Sequence, residues 1–341
     1  METAMTFTRA LLCGAALLTL GASASAATLD DVKNRKELIC GVTTGLPGFS
    51  APDDSGAWQG FDAEYCRAVA AAIFDNPAAV RFAPTTPKDR FTALQSGEVD
   101  ILSRVTTWTL SRDASLGFDF IGIAYYDGQG FMVRKDLGVT SGKDLDGASV
   151  CTQTGSTTEQ NLGDYFRAQG HKYELVTFEG NADVVKAFEA GRCEVLSTDR
   201  SGLAAQRLLL ANPDDFVVLP ETFSKEPLGP LVRQGDSQWA DIGRWTLSAL
   251  VAAEEFGITK ANVDEFLKSE NPEIRRLLGV EGNLGEQLGL TPDWAFRVIK
   301  HLGNYGEIYE RTIGAGSPLK LERGVNALWS KGGLQYALPF R

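Results

Sequence analysis

Histidine is nearly absent from this chain: His171 and His301 are the only two in 341 residues, and they stand in unrelated surroundings. That scarcity leaves little room for a zinc site or an imidazole-based triad. No HExxH, no CxxC and no Gly-x-Ser-x-Gly turn occurs either. Positive charge is also short, with 33 Lys and Arg against 44 Asp and Glu and a net charge of -11, which argues against nucleic acid or an anionic membrane surface as partner. The segment GVTSGKD (138–144) has glycines and a lysine but not the spacing of a phosphate loop, and it reads as a turn before a helix. Neither a metal nor a cofactor is expected.

Long apolar runs are missing too, and none reaches the length that spans a membrane. The longest, ALLCGAALLTL, follows Arg9 and precedes Ala24-Ser25-Ala26, the order of a secretory signal. Residues 1–26 are therefore expected to be removed after Ala26, leaving a soluble periplasmic protein that begins at Ala27. Cys13 belongs to the discarded segment, because Leu11 and Leu12 ahead of it are too large for lipoprotein processing. Four cysteines remain, Cys40, Cys66, Cys151 and Cys193, an even number in an oxidising compartment; three connectivities are open to them. The length suits two domains, each with an ample core.

What the chain does carry is an internal echo. ALQSGEVDIL (93–102) and AFEAGRCEVL (187–196) each end an amphipathic helix, stop it at Gly97 or Gly191, and open a short apolar strand. LICGVTTG (38–45) and SVCTQTG (149–155) repeat a strand with a cysteine. Strand–helix–strand order predicts two related lobes with parallel sheets, and ligands in such sheets sit beyond the carboxyl ends of the strands. Facing lobes would build one cleft from VTTWTLSR (105–112) and STDRSG (197–202). Crossings in GFMVRKD (130–136) and EPLGPLVRQGD (226–236) predict a hinge, with a first lobe over 27–132, a second over 133–228, and a return over 229–341 that ends in a C-terminal helical extension. Thr86 is expected to cap the helix that continues through Pro87 and Asp89.

The residues at that cleft suit an α-amino acid. A carboxylate calls for a forked guanidinium with hydroxyl or amide donors, which Arg112, Thr107 and the helix start in TGSTTEQ (154–160) supply. An ammonium calls for a carboxylate, and Asp199 stands at the end of the facing strand. The bland alternatives are a surface pair between Arg112 and Asp113, and Asp199 as a simple helix cap. Trp58 and Trp108 are assigned to packing, whereas Phe49 joins the ligand-binding set.

GVTTGLPGFS, GFDAEYCRAVAAAI, RFTALQSGEVDIL, TTWTLSRD, YYDGQGFMVRKD and TGSTTE, in this order, resemble the periplasmic solute-binding proteins of polar amino-acid ABC transporters. The cysteine positions and the tail GVNALWSKGGLQYALPFR resemble the general L-amino-acid branch, which includes glutamate/glutamine/aspartate/asparagine binders. The resemblance implies a two-lobed α/β fold, the type II periplasmic binding protein fold, with two parallel-core mixed sheets joined by a two-strand hinge. It also implies a monomer that closes on a free L-amino acid and delivers it to an inner-membrane ABC permease. Carried over, Arg112 and Thr107 hold the α-carboxylate, Thr157 adds a hydroxyl and an amide, Asp199 takes the ammonium, and Arg90 reads the side chain. Arg104-Val105 stands where many relatives have Gly-Ser, so the Val105 contact falls to its backbone and Arg104 adds a charge. Cys40 is expected to pair with Cys66 and Cys151 with Cys193, since a bridge between lobes would restrain closure. Two other uses of the fold are a dehydratase-like enzyme and ligand presentation to a chemosensory receptor. An enzyme would need an unpaired acid in the cleft, and Glu64, Glu159 and Glu194 are all expected at solvated edges; no enzyme is expected.

Overall fold

A computed structural model describes residues 28–341; the signal segment and its cleavage after Ala26 lie outside the described residues. The apolar run LICGV forms the strand Leu38–Val42, buried at all five positions, as a strand covered on both faces must be. It lies between Val80–Pro84 and Ile101–Leu102, parallel to both. Leu231–Arg233 then adds antiparallel and Phe118–Phe120 closes the five-stranded sheet. The second sheet repeats this plan strand for strand. Ser149–Gln153 lies between Glu174–Phe178 and Val195–Asp199, parallel to both, followed by the antiparallel Gln129–Arg134 and Phe216–Val218. The echo in the sequence is thus an echo in topology. Gly97 (φ 79) and Gly191 (φ 72) end the equivalent helices in the left-handed conformation that an L side chain resists.

The fourth strand of each sheet is contributed by chain that has just come from the other lobe. GFMVR therefore does not cross between lobes as expected; it lies inside the second sheet as Gln129–Arg134. The outward crossing is one element earlier, Tyr125–Asp127, which pairs antiparallel with Glu226–Leu228 in the return. The physical reason is burial: Phe131, Met132 and Val133 have no exposed surface and belong to the second lobe's cores, so this run cannot be an isolated connector. The helix after Thr86 starts later than expected. Regular helix begins only at Arg90, but Thr86 still caps the turn that leads into it: Asp89 N donates to Thr86 Oγ1 (3.3 Å), Thr86 N to Asp89 Oδ1 (2.6 Å) and Arg90 N to Thr86 O (3.1 Å). The cysteines pair within lobes, Cys40 with Cys66 and Cys151 with Cys193.

After Leu231–Arg233 the chain stays with the first lobe. Helix Ser237–Glu255, capped by Asp236, buries Trp239, Ile242 and Leu250 there, and helix Trp294–Leu302 packs on Phe61–Phe74. The last residues reach the hinge. The Asn326 side chain accepts from Tyr126 N (2.7 Å) and donates to Tyr126 O (3.0 Å), while Tyr305 Oη and Gln335 Nε2 both donate to Ala124 O. Tyr126 faces Pro227 as the non-hydrogen-bonded pair of the hinge ladder, so its N–H and C=O point outward. The tail amide thus satisfies the outer edge of a strand that would otherwise be an exposed edge. Asn326→Ala should remove that protection, costing about 1–2 kcal/mol locally. Amide exchange read by mass spectrometry should show faster exchange at Tyr126 with the two sheets unchanged; an unchanged rate would mean the tail does not hold the hinge.

Candidate functional site

The chain leaves the first sheet at Leu102 and runs through Ser103-Arg104-Val105 along the face of the second lobe. Val105 adopts φ 41, a left-handed conformation that costs a β-branched residue about 1–3 kcal/mol and that clusters at binding sites. Buried Asp62 holds this kink, accepting from Ser103 Oγ (3.1 Å) and Val105 N (3.2 Å), and its burial pushes the carboxyl up to about 7. Thr107 forms an isolated bridge to Leu228, flanked by Trp108 N to Pro227 O (2.8 Å) and Gly229 N to Thr106 O (3.0 Å). Thr107 therefore occupies a non-hydrogen-bonded pair position, and its own amide groups point away from Leu228. Its carbonyl accepts from Arg112 Nη1 at 2.9 Å.

Three guanidinium groups gather here. Arg90, Arg104 and Arg112 are 3%, 2% and 7% exposed. They make one hydrogen bond each, or none: Arg90 Nη1 to Thr106 Oγ1 (3.2 Å), Arg112 to Thr107 O, and nothing from Arg104 among the described residues. The Phe91 ring gives Arg90 (4.7 Å) and Arg112 (5.3 Å) a π face. Burial lowers all three pKa values, to about 10 for Arg104 and Arg112 and well below the ordinary range for Arg90, which Arg104 and Arg112 also repel. Arg104 and Arg112 stay charged at neutral pH, short of hydrogen-bond acceptors.

Carboxylates line the facing wall. Asp199 ends the strand Val195–Asp199 and precedes helix Arg200–Arg207, but its side chain makes no capping bond. Burial, then Asp127 and Glu226, drive its carboxyl pKa well up. Asp127 accepts from Gly128 N (2.8 Å) and Ser201 N (3.2 Å), and its burial raises it to about 6. Glu226 takes four donors: Thr107 Oγ1 (2.6 Å) and Thr157 Oγ1 (2.9 Å) on Oε2, Ser224 Oγ (2.6 Å) and Asn161 Nδ2 (2.7 Å) on Oε1. The Thr107 and Thr157 hydroxyls, expected on a ligand carboxylate, thus serve a residue of the hinge and tie the lobes to it. The lobes also meet through Asn181 Nδ2 to Gly45 O (3.1 Å) and, at the rim, Lys88 to Glu179 (2.9 Å). The structure is closed, and Arg104, Val105, Thr43, Gln153, Thr198 and Asp199 line a pocket between the lobes.

Phe49 does not reach this pocket. At 1% exposure it stands edge-on to Tyr125 (5.6 Å) in the first lobe's core, because the turns at Gly48 and Gly60 fold its loop back onto helix Phe61–Phe74. Trp108 stacks on Phe120 (5.2 Å) and donates to Asp113, so Asp113 is engaged without Arg112. Glu64 pairs with Arg67 and Arg311, Glu159 accepts from Gly155 N, and Glu194 from Ser149 N, all away from the pocket. Sequence reasoning missed Asp127 and Glu226. Each is followed by a glycine or a proline and carries no local signal, and only the pairing of their two strands brings them to the cleft, Glu226 buried and Asp127 half-buried.

The chain belongs to the bacterial extracellular solute-binding proteins, family 3, whose pattern matches residues 38–275. It is 60% identical over 331 residues to the general L-amino acid-binding periplasmic protein AapJ of Rhizobium johnstonii, covering 96% of this chain and 97% of that one. Against the glutamate/glutamine/aspartate/asparagine-binding protein BztA of Rhodobacter capsulatus the identity is 57% over 327 residues, 96% of each. A solved ABC transporter/periplasmic binding protein from Brucella ovis with glutathione bound is 58% identical, with a TM-score of 0.91 over 93% of this chain and 100% of that chain.

An ammonium group placed against Asp199 would need that carboxyl ionised, and its raised pKa means that protons would compete for the same position. Affinity for a zwitterion should therefore fall as pH is lowered toward the ordinary carboxylate range, while ligand carboxylates stay charged. Asp199→Asn should cost about 3 kcal/mol or more and flatten that slope. Calorimetry across the pH series checks both.

Proposed function

We propose that this protein binds free L-amino acids of the glutamate, glutamine, aspartate and asparagine class between its lobes and delivers them to an inner-membrane ABC permease. One observation carries the reading. Arg90, Arg104, Arg112 and Glu226 are buried around one cleft and Asp127 and Asp199 are half-buried beside them, with no ion pair among the six in the described residues. Leaving that much buried charge unpaired is costly, and a zwitterion inserted between the walls satisfies both sides. Arg112 takes the α-carboxylate together with the Thr107 amide, and Asp199 takes the ammonium. Thr157 contributes from its helix start. Arg90 reads an acidic side chain, and the Val105 kink sets the floor.

The names of the AapJ and BztA relatives support this class. The glutathione-bound relative supports a range that extends beyond free amino acids. A binding protein rather than a dehydratase-like enzyme is favoured by the relatives, which are named for binding. The protein works in the periplasm as a monomer, with its lobes turning about Tyr125–Asp127 and Glu226–Leu228.

Arg112→Ala should weaken every ligand by about 3–5 kcal/mol, since it strands a buried carboxylate. Arg90→Ala should weaken glutamate and aspartate most, glutamine and asparagine less, and alanine hardly at all. Calorimetry with glutamate, glutamine and alanine tests the assignment. Near-normal affinity in Arg112→Ala, or equal losses in Arg90→Ala, would refute these roles, and wild-type protein that binds none of the three would refute the function.

A further inference from the structure

Six buried side-chain atoms have no hydrogen-bond partner among the described residues. Three of them, Arg104 Nε, Ser201 Oγ and Gln206 Oε1, belong to residues that line the same inter-lobe pocket as Asp199. Those residues are 2%, 3% and 2% exposed. A buried polar atom left unpaired is costly, and three of them around one pocket describe the group that fills it. Arg104 can only donate. Gln206 Oε1 can only accept, and its orientation follows from the chain of amides behind it. The Gly45 carbonyl accepts from Asn181 Nδ2 (3.1 Å), which turns Asn181 Oδ1 to accept from Gln206 Nε2 (3.1 Å), so the Gln206 oxygen is the end that faces the pocket.

From this complement we infer that Arg104 and Gln206, with Ser201 between the two chemistries, form a subsite for an uncharged amide on the ligand's side chain, its carbonyl toward Arg104 and its N–H toward Gln206 Oε1. The inference rests on the amino-acid-binding reading above and adds the group that the pocket distinguishes. A side-chain carboxylate would satisfy Arg104 but set an acceptor against Gln206 Oε1, whereas a primary or γ-substituted amide satisfies both. Because Asn181 reaches across to Gly45 in the first lobe, the subsite is complete only when the lobes are closed. It therefore acts on the closed complex, where side chains are told apart, while Arg112 and Asp199 serve all ligands alike. Arg90 lies outside this pocket lining and discriminates in the opposite direction, toward acids.

Two ligands of matched shape test the idea on the unaltered protein: γ-N-methyl-L-glutamine, which has the N–H, and L-glutamate γ-methyl ester, which has an ester oxygen in its place. The amide should bind about tenfold tighter or more. Gln206→Met, which keeps the length and removes the acceptor, should erase that preference and weaken glutamine while leaving glutamate within about threefold. Equal affinity for amide and ester in the wild type, or equal losses of glutamine and glutamate in Gln206→Met, would overturn the subsite. In either case the amino-acid-binding reading stands as long as glutamine and glutamate bind the wild type; if neither binds, that reading falls and takes the subsite with it.

Discussion

Buried charge held apart is the constraint on which the site depends. Arg90, Arg104 and Arg112 come from the first lobe, Asp199 from the second, and Asp127 and Glu226 from the two hinge strands. Had any guanidinium met one of these carboxylates directly, the pair would have neutralised itself and left nothing to bind. The fold prevents this with other partners: the Phe91 ring lies against Arg90 and Arg112, backbone amides satisfy Asp127, and two threonine hydroxyls, a serine and an asparagine saturate Glu226. Asp199 alone among the acids keeps its oxygens free of hydrogen bonds in the described residues. Burial lowers the three guanidinium pKa values and raises those of Asp127 and Asp199.

Glu226 couples the site to the hinge. One carboxylate oxygen, on the return strand, receives Thr107 from the first lobe and Thr157 from the second. The closed arrangement is therefore joined at its pivot as well as at its rim, where Lys88 meets Glu179. The rim pair is exposed and worth little. The Glu226 bonds are buried and charge-assisted, so they carry more of the free energy that holds the lobes together. The C-terminal tail grips the outer edge of the same hinge through Asn326 and Gln335, which gives the extension a structural role that its aromatic composition alone did not announce.

Much of the architecture was legible because periodicity and punctuation are local. Gly97 and Gly191 marked two equivalent helix ends, and the cysteine-bearing strands at 38–42 and 149–153 marked the first strand of each lobe. The crossing point was less legible, since an apolar run such as GFMVR looks the same whether it leads out of one sheet or lies inside the next. Arg112 and Asp199 were nominated from the chemistry of an amino acid and Arg90 from the family resemblance alone; the structure gathers all three near the inter-lobe cleft. Phe49 was misassigned because an aromatic beside a glycine turn can fold inward or toward a cleft with equal local cost.

The sequence by itself determined the doubled strand–helix–strand plan, the pairing partners left to four cysteines once two lobes were recognised, and the residue types suited to a zwitterion. Only the tertiary structure decided which polar groups stay unpaired. Asp127 and Glu226 are brought to the cleft by strands far apart in the chain, Thr107 and Thr157 are claimed by Glu226, and the Gln206 oxygen is turned to the pocket by a carbonyl in the other lobe. A hydrogen bond depends on where two atoms lie in space, and when the partners are a hundred residues apart neither local pattern contains that information.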